Sequence, residues 1–219
     1  MTSAPVAYLV EYLTTFDGRN YDAMFAASNA ISPDAFTATD LEAVTKLKVY
    51  PSAEFRQWLL SPTGQAETCA LLARIPDNVD LSAVPSSGFA ALLGSNRTSP
   101  VSELWNLLVE QLKAHRPGRA VQVIASKLIA GKRPKLVPIT DSYVRAELGI
   151  KSWQTVWTCS HAIAITPGIG SLVASLRNRV AAELGSSGGP LPDGVNPAGL
   201  SDLRIFDLAV WCFHEHRVR

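Results

Sequence analysis

The stretch "RPGRAVQVIASKLIAGKRPKLVPITDSYVR", Arg116 to Arg145, decides how this chain is read. It sets basic residues and three prolines around an apolar run, and near its end stands a single acid, Asp141. Pro117-Gly118 breaks the preceding helix into a turn. A new helix is predicted over residues 120–130, with Val121, Ile124, Leu128 and Ile129 toward a core. Gly131 is expected to end it in the left-handed conformation. Lys132, Arg133 and Lys135 then surround Pro134 on an exposed turn. "LVPIT" is extended, because a residue before proline avoids the helical region. "TDSYVRAELG" opens another helix, with Thr140, Asp141 or Ser142 at its N-terminus.

Working outward, most of the chain also reads as helix. "TDLEAV" offers a capping box, with Thr39 as the cap and Glu42 three residues on. "SPVSELWNLLVEQLKAH" starts with Ser99 as N-cap and Pro100 at the first helical position. Leu104, Leu107, Leu108 and Leu112 follow helical spacing. "IGSLVASLRNRVAAELG" places Ile169, Leu172, Val173, Leu176 and Val180 on one face, with Gly185 as its stop. "SDLRIFDLAVWCFHEH" turns Leu203, Phe206, Val210 and Phe213 inward. Strand signals are few: "KLKVY" and "KLVPI" alternate briefly, and Pro138 interrupts the second. "WQTVWTCSHAIAI" fits strand or helix. The prediction is an all-α domain over 1–219 with some ten helices, as two helical lobes, 1–98 and 99–219, around a cleft.

Composition bounds the function without naming it. The 219 residues are enough for a real core. Lys plus Arg number 20 against 19 for Asp plus Glu, so only the local placement of charge informs on a partner. Cys69, Cys159 and Cys212 form no CxxC pair, which argues against a zinc site, an iron–sulfur cluster and a disulfide framework. The N-terminus lacks the basic region of a secretory signal, and no apolar run approaches the ~18 residues of a membrane span. A cytoplasmic protein is expected.

The stretch Arg116 to Arg145 supports two chemical readings. Three cations on a turn can neutralise phosphates, and a carboxylate beyond them can act on what the phosphates bring. Equally, Asp at a helix start is a common cap worth ~1 kcal/mol, and cations on a turn serve solubility.

This arrangement resembles the second half of the helix-hairpin-helix DNA glycosylases, the superfamily of endonuclease III. "RPGRA" stands at the hairpin, "GKRP" at the following turn, and "VPITDSYVR" at the segment that carries the catalytic Asp. Ala120 replaces the hairpin's second glycine. Val121, Gln122 and Val123 stand where strand-cutting members have a lysine nucleophile, and Lys127 lies about one turn further along. The resemblance therefore implies a monofunctional DNA glycosylase without lyase activity, with a two-lobed helical fold and Asp141 as its catalytic carboxylate. Over nearly the whole chain, "NYDAMF", "ATDLEAVTKLKV", "ASKLIAGKRPKLVPITDSYV" and "LRIFDLAVWCFHEHR" also resemble an actinobacterial domain of unknown function, which implies no activity.

A glycosylase extrudes its target nucleotide and breaks an N-glycosidic bond with positive charge growing on the sugar. Asp141 at a helix N-terminus suits stabilisation of that charge or activation of water. Arg119, Lys127, Lys132, Arg133 and Lys135 are the candidate phosphate contacts. Tyr21, Asp22, Tyr143, Arg145 and Trp153 are candidates for the base pocket, with Asp22 and Tyr21 completing a pocket that faces Asp141. Trp105, Trp153 and Trp157 either stack on the base or fill the core, and Asp17 reads as a cap. Asp207 falls on the inner face of the last helix, where a buried acid needs a partner, for which an arginine would serve. His214, His216 and His161 have poor spacing for a metal. The expected partner is double-stranded DNA, met by a monomer without cofactor or metal, and the substrate a damaged or modified base. Hypermodified phage pyrimidines in a defence role belong to that class. The competing readings are a non-catalytic DNA-binding protein that uses the turn at 131–135, and a helical scaffold.

Overall fold

Tight α-helical caps and apolar spacing carry through almost the whole chain: the described residues form twelve α-helices and one 3₁₀ turn, with no strand among them. The structure is a computed structural model and describes residues 4–94, 98–115, 120–151, 155–186 and 199–218. The helices are α1 (Ala4–Thr15), α2 (Arg19–Ile31), α3 (Ala38–Lys46), α4 (Ala53–Leu60), α5 (Pro62–Leu72), α6 (Ser86–Leu92), α7 (Pro100–His115), α8 (Val121–Lys132), α9 (Ser142–Glu147), α10 (Val156–Ala164), α11 (Ile169–Ser186) and α12 (Asp202–Val218). The all-α expectation holds, and the ambiguous "VWTCSHAIA" is helix α10.

Two apolar cores organise these helices. The larger draws Phe25, Phe55, Leu104, Leu108 and Leu128 from α2, α4, α7 and α8, and so takes residues from both sides of position 98. The smaller joins the two ends of the chain: Leu9 and Leu13 of α1 meet Val180 and Leu184 of α11 and Leu208 and Cys212 of α12. Helix α8 is buried along most of its length, because α2, α3 and α7 all pack on it. This is why the extended segment that follows it lies inside the molecule.

Several local expectations are corrected. The capping box of α3 uses Thr37 and Asp40 rather than Thr39 and Glu42. Gly131 does not end α8. It lies inside the helix against the Phe25 ring, where an added Cβ would come within 2.4 Å of ring carbons. Gly185 also lies inside its helix. Asp17 accepts from Asn20 Nδ2 at 2.8 Å and makes no side-chain cap on α2. Phe213 and Leu172, expected inward, are exposed, while Ile205, Leu208 and Cys212 carry the inner face of α12. Ser99 does cap α7, accepting from Ser102 N at 3.3 Å.

The largest correction concerns the basic turn. Lys132 and Arg133 are each 1 % exposed. Lys132 Nζ pairs with Asp40 Oδ2 at 2.7 Å and donates to Ser32 O at 3.0 Å and Ser28 Oγ at 3.2 Å. Arg133 donates to the carbonyls of Ile75, Leu72 and Pro33 at 2.7, 2.6 and 2.9 Å, and to Asp34 Oδ1 at 2.5 Å. Two of these carbonyls lie at and just past the end of α5, where Leu72 O also accepts from Ile75 N at 2.9 Å. Both cations staple the fold together and are closed to phosphate. Of this turn, Lys135 is exposed.

Candidate functional site

The site is built around the extended segment 137–141, which leaves the end of α8 and enters α9. Its last residue, Asp141, is the N-cap of α9. Asp141 Oδ1 accepts from Tyr143 N and Val144 N, both at 3.0 Å. Oδ2 takes no part in that cap. The carboxylate is therefore a helix cap with one oxygen still available, and it is partly exposed on the wall of a cavity of about 390 Å³.

Around Asp141 this cavity has an aromatic side formed by Tyr12, Phe16, Trp211 and Tyr143. Tyr12 and Trp211 meet edge to face with centroids 5.5 Å apart. Tyr143 stacks on His214 with centroids 4.5 Å apart. Lys46, Lys48 and Lys127 supply cations to the same space. Lys127 is 5 % exposed, and its Nζ donates to Leu47 O at 3.0 Å. Burial lowers its pKa to about 8, against the pull of the Asp141 carboxylate, with Arg204 lowering it further.

Behind this cavity lies a second, of about 490 Å³. Ile139, Arg204 and Asp207 line both cavities and form the wall between them. Arg204 Nε bonds both oxygens of Asp22, at 2.9 and 3.0 Å, and its guanidinium lies 5.3 Å from the Tyr21 ring centre. Asp207 is 3 % exposed, as its place on the inner face of α12 predicted. Its Oδ2 accepts from Ile139 N at 2.8 Å. The partner is thus a backbone amide, while Arg204, one turn earlier, serves Asp22.

The sequence-predicted residues separate on this map. Asp141, Tyr143 and Lys127 share the smaller cavity. Tyr21 and Asp22 line the larger cavity, on the far side of the wall, so they do not complete a pocket facing Asp141. Tyr21 is buried, with its hydroxyl donating to Lys127 O at 2.5 Å. Lys135 lines the larger cavity too. Arg145 lines neither and donates from Nη2 to Lys151 O at 2.7 Å. Trp105 and Trp157 pack edge to face at 6.3 Å in or against the larger core, which leaves them to packing. Arg119 and Trp153 lie outside the described residues, as does the Pro117-Gly118 hairpin. His161 bonds Val84 O through Nε2 at 2.7 Å, and among the described residues no group of His, Cys, Asp and Glu is placed to hold a metal.

Sequence reasoning missed Tyr12, Phe16, Trp211 and Arg204. Helical spacing gives Tyr12, Trp211 and Arg204 an inner face, Phe16 lies just past the end of α1, and nothing in the one-dimensional pattern brings α1 onto α12.

A family of unknown function (DUF6308) matches residues 5–214, and the chain belongs to it. No curated protein and no solved structure matches the chain. Among the described residues no single helix is long and apolar enough to cross a membrane.

Proposed function

We propose that the chain is a monofunctional DNA glycosylase that hydrolyses the bond between a damaged or modified base and its sugar, with Asp141 as the carboxylate on the sugar side. One observation carries this reading. Asp141 is fixed by its helix cap through Oδ1, while Oδ2 remains available beside an aromatic cavity large enough for a small ligand. A carboxylate at this place would meet the positive charge that grows on the sugar. Partly exposed Phe16 and Trp211 are the rings that would meet an extruded base, with buried Tyr12 packed against both.

The phosphate contacts of this reading have moved. Lys132 and Arg133 are occupied inside the fold, which also removes most of the basis for a non-catalytic protein gripping DNA with the turn at 131–135. Exposed Lys48, at the same cavity, is the cation that would meet a backbone, while Lys46 pairs with Asp17 at 3.7 Å and Glu42 at 3.5 Å. The helix-hairpin-helix resemblance supports the DNA substrate, and phage DNA with hypermodified pyrimidines is a source of such bases.

The test is incubation with genomic DNAs of differing modification chemistry, followed by mass spectrometry of free bases. The reading expects a base released from at least one DNA, with the strand left uncut. Release of no base from any of them overturns it.

A further inference from the structure

The segment that ends in Asp141 also holds a second carboxyl at the same cavity. Ile139, two residues before Asp141, fixes Asp207 by its amide. Asp207 comes from α12 and lines the cavity beside Asp141. Its Oδ1 is sealed from solvent and has no hydrogen-bond partner. Burying a carboxylate with an unpaired oxygen is costly, whereas a neutral carboxyl holds a proton, which a base seated in the cavity reaches once it uncovers Oδ1.

The charged groups around Asp207 come from four elements. Arg204 shares its helix and is committed to Asp22 of α2. Asp141 stands at the start of α9, and Lys127 of α8 lines the same cavity. We propose that Asp207 is the proton donor of the reaction, protonating the leaving base while Asp141 acts at the sugar. This rests on the glycosylase reading. Burial holds the Asp207 carboxyl well above the usual carboxylate range; Arg204 and the Ile139 amide pull against that, and Asp141 and Asp22 add to it. Two carboxyls in such unlike settings divide naturally into an acid and a base.

The step balances as follows. The bond between C1′ and the base nitrogen breaks, and its electron pair leaves with the base. The Asp207 proton joins the base. Water adds to C1′, and its proton passes to Asp141. Asp207 ends as carboxylate and Asp141 as acid, and one proton exchanged through water restores both.

The experiment measures single-turnover base release against pH for wild type, Asp207→Asn and Asp207→Glu, on the DNA from which wild type releases a base. Removing a general acid costs about 10²–10⁴-fold. Asp207→Asn is expected to fall by at least about a hundredfold at neutral pH and to lose the basic limb of the profile. Asp207→Glu keeps a donor and is expected to keep that limb, displaced. Infrared spectra of the wild type should show a protonated carboxyl persisting above pH 7, whether or not Asp207→Asn folds. An active Asp207→Asn with an unchanged basic limb overturns the donor role and leaves the glycosylase reading standing. So does the absence of a protonated carboxyl in the wild type. A wild type that releases no base overturns the reading itself, and the donor role with it.

Discussion

Lys132 Nζ lies 2.7 Å from Asp40 Oδ2, and neither side chain exposes any surface. The same Asp40 oxygen accepts from Thr37 N at 2.8 Å, so one carboxylate closes the cap of α3 and pairs with the end of α8. Removing one member of a buried pair leaves an uncompensated charge and costs about 3–5 kcal/mol. Lys132→Ala is expected to lower the unfolding free energy by about that much in urea titrations. Adding Asp40→Asn should restore part of the loss, since the charge is gone and the side chain still accepts the cap.

Arg133 and Lys135 stand two residues apart and should behave oppositely. Arg133→Lys cannot reach the carbonyls of Leu72, Ile75 and Pro33 together, and each charged hydrogen bond is worth about 1.5–3 kcal/mol. A loss above ~2 kcal/mol is expected. Lys135→Gln, on the exposed part of the turn, is expected to stay within ~0.5 kcal/mol. Paired denaturation curves check both.

Gly131 matters for space. A methyl group there meets the Phe25 ring at 2.4 Å, and overpacking of this kind costs about 1–3 kcal/mol. Gly131→Ala should lower the thermal transition, and Phe25→Leu in that background should raise it again.

These three contacts also mark where the sequence stops being legible. Capping residues and apolar spacing gave the helices, since both act within a few residues of one another. The status of "GKRP" could not be read that way. Lys132 is buried because Asp40, far back in the chain, meets it, and Gly131 because Phe25 does. A cation on a polar turn and a cation under a core look alike in one dimension. The reverse holds for Asp207: its helical register announced a buried acid, and the structure supplied its partner, the Ile139 amide. Asp141 was legible as a cap, which the structure shows, and the proposed catalytic role rests on the same helix start.

Lys127 gives a pH signature. Its folded pKa is depressed from 10.5 to about 8, chiefly by burial. Between those values the unfolded chain binds the extra proton, so stability contributed through Lys127 rises as pH climbs from about 8 toward 10.5. Below about 8 the cost of holding the charged amine is fully present. Lys127→Met is therefore expected to gain stability relative to wild type at neutral pH, with the gain shrinking toward pH 10.5. Urea midpoints of the two proteins across that range check it.

The central claim is that Asp141 does chemistry beyond its cap. Asn caps a helix about as well as Asp, so Asp141→Asn should change stability by only a few tenths of a kcal/mol, against ~1 kcal/mol for Asp141→Ala. The decisive measurement is release of free base by Asp141→Asn from the DNA that wild type attacks, with DNA affinity measured alongside. The account predicts base release reduced by at least about a hundredfold, with the fold and the affinity for DNA retained. Base release at the wild-type rate would contradict it and leave Asp141 a helix cap.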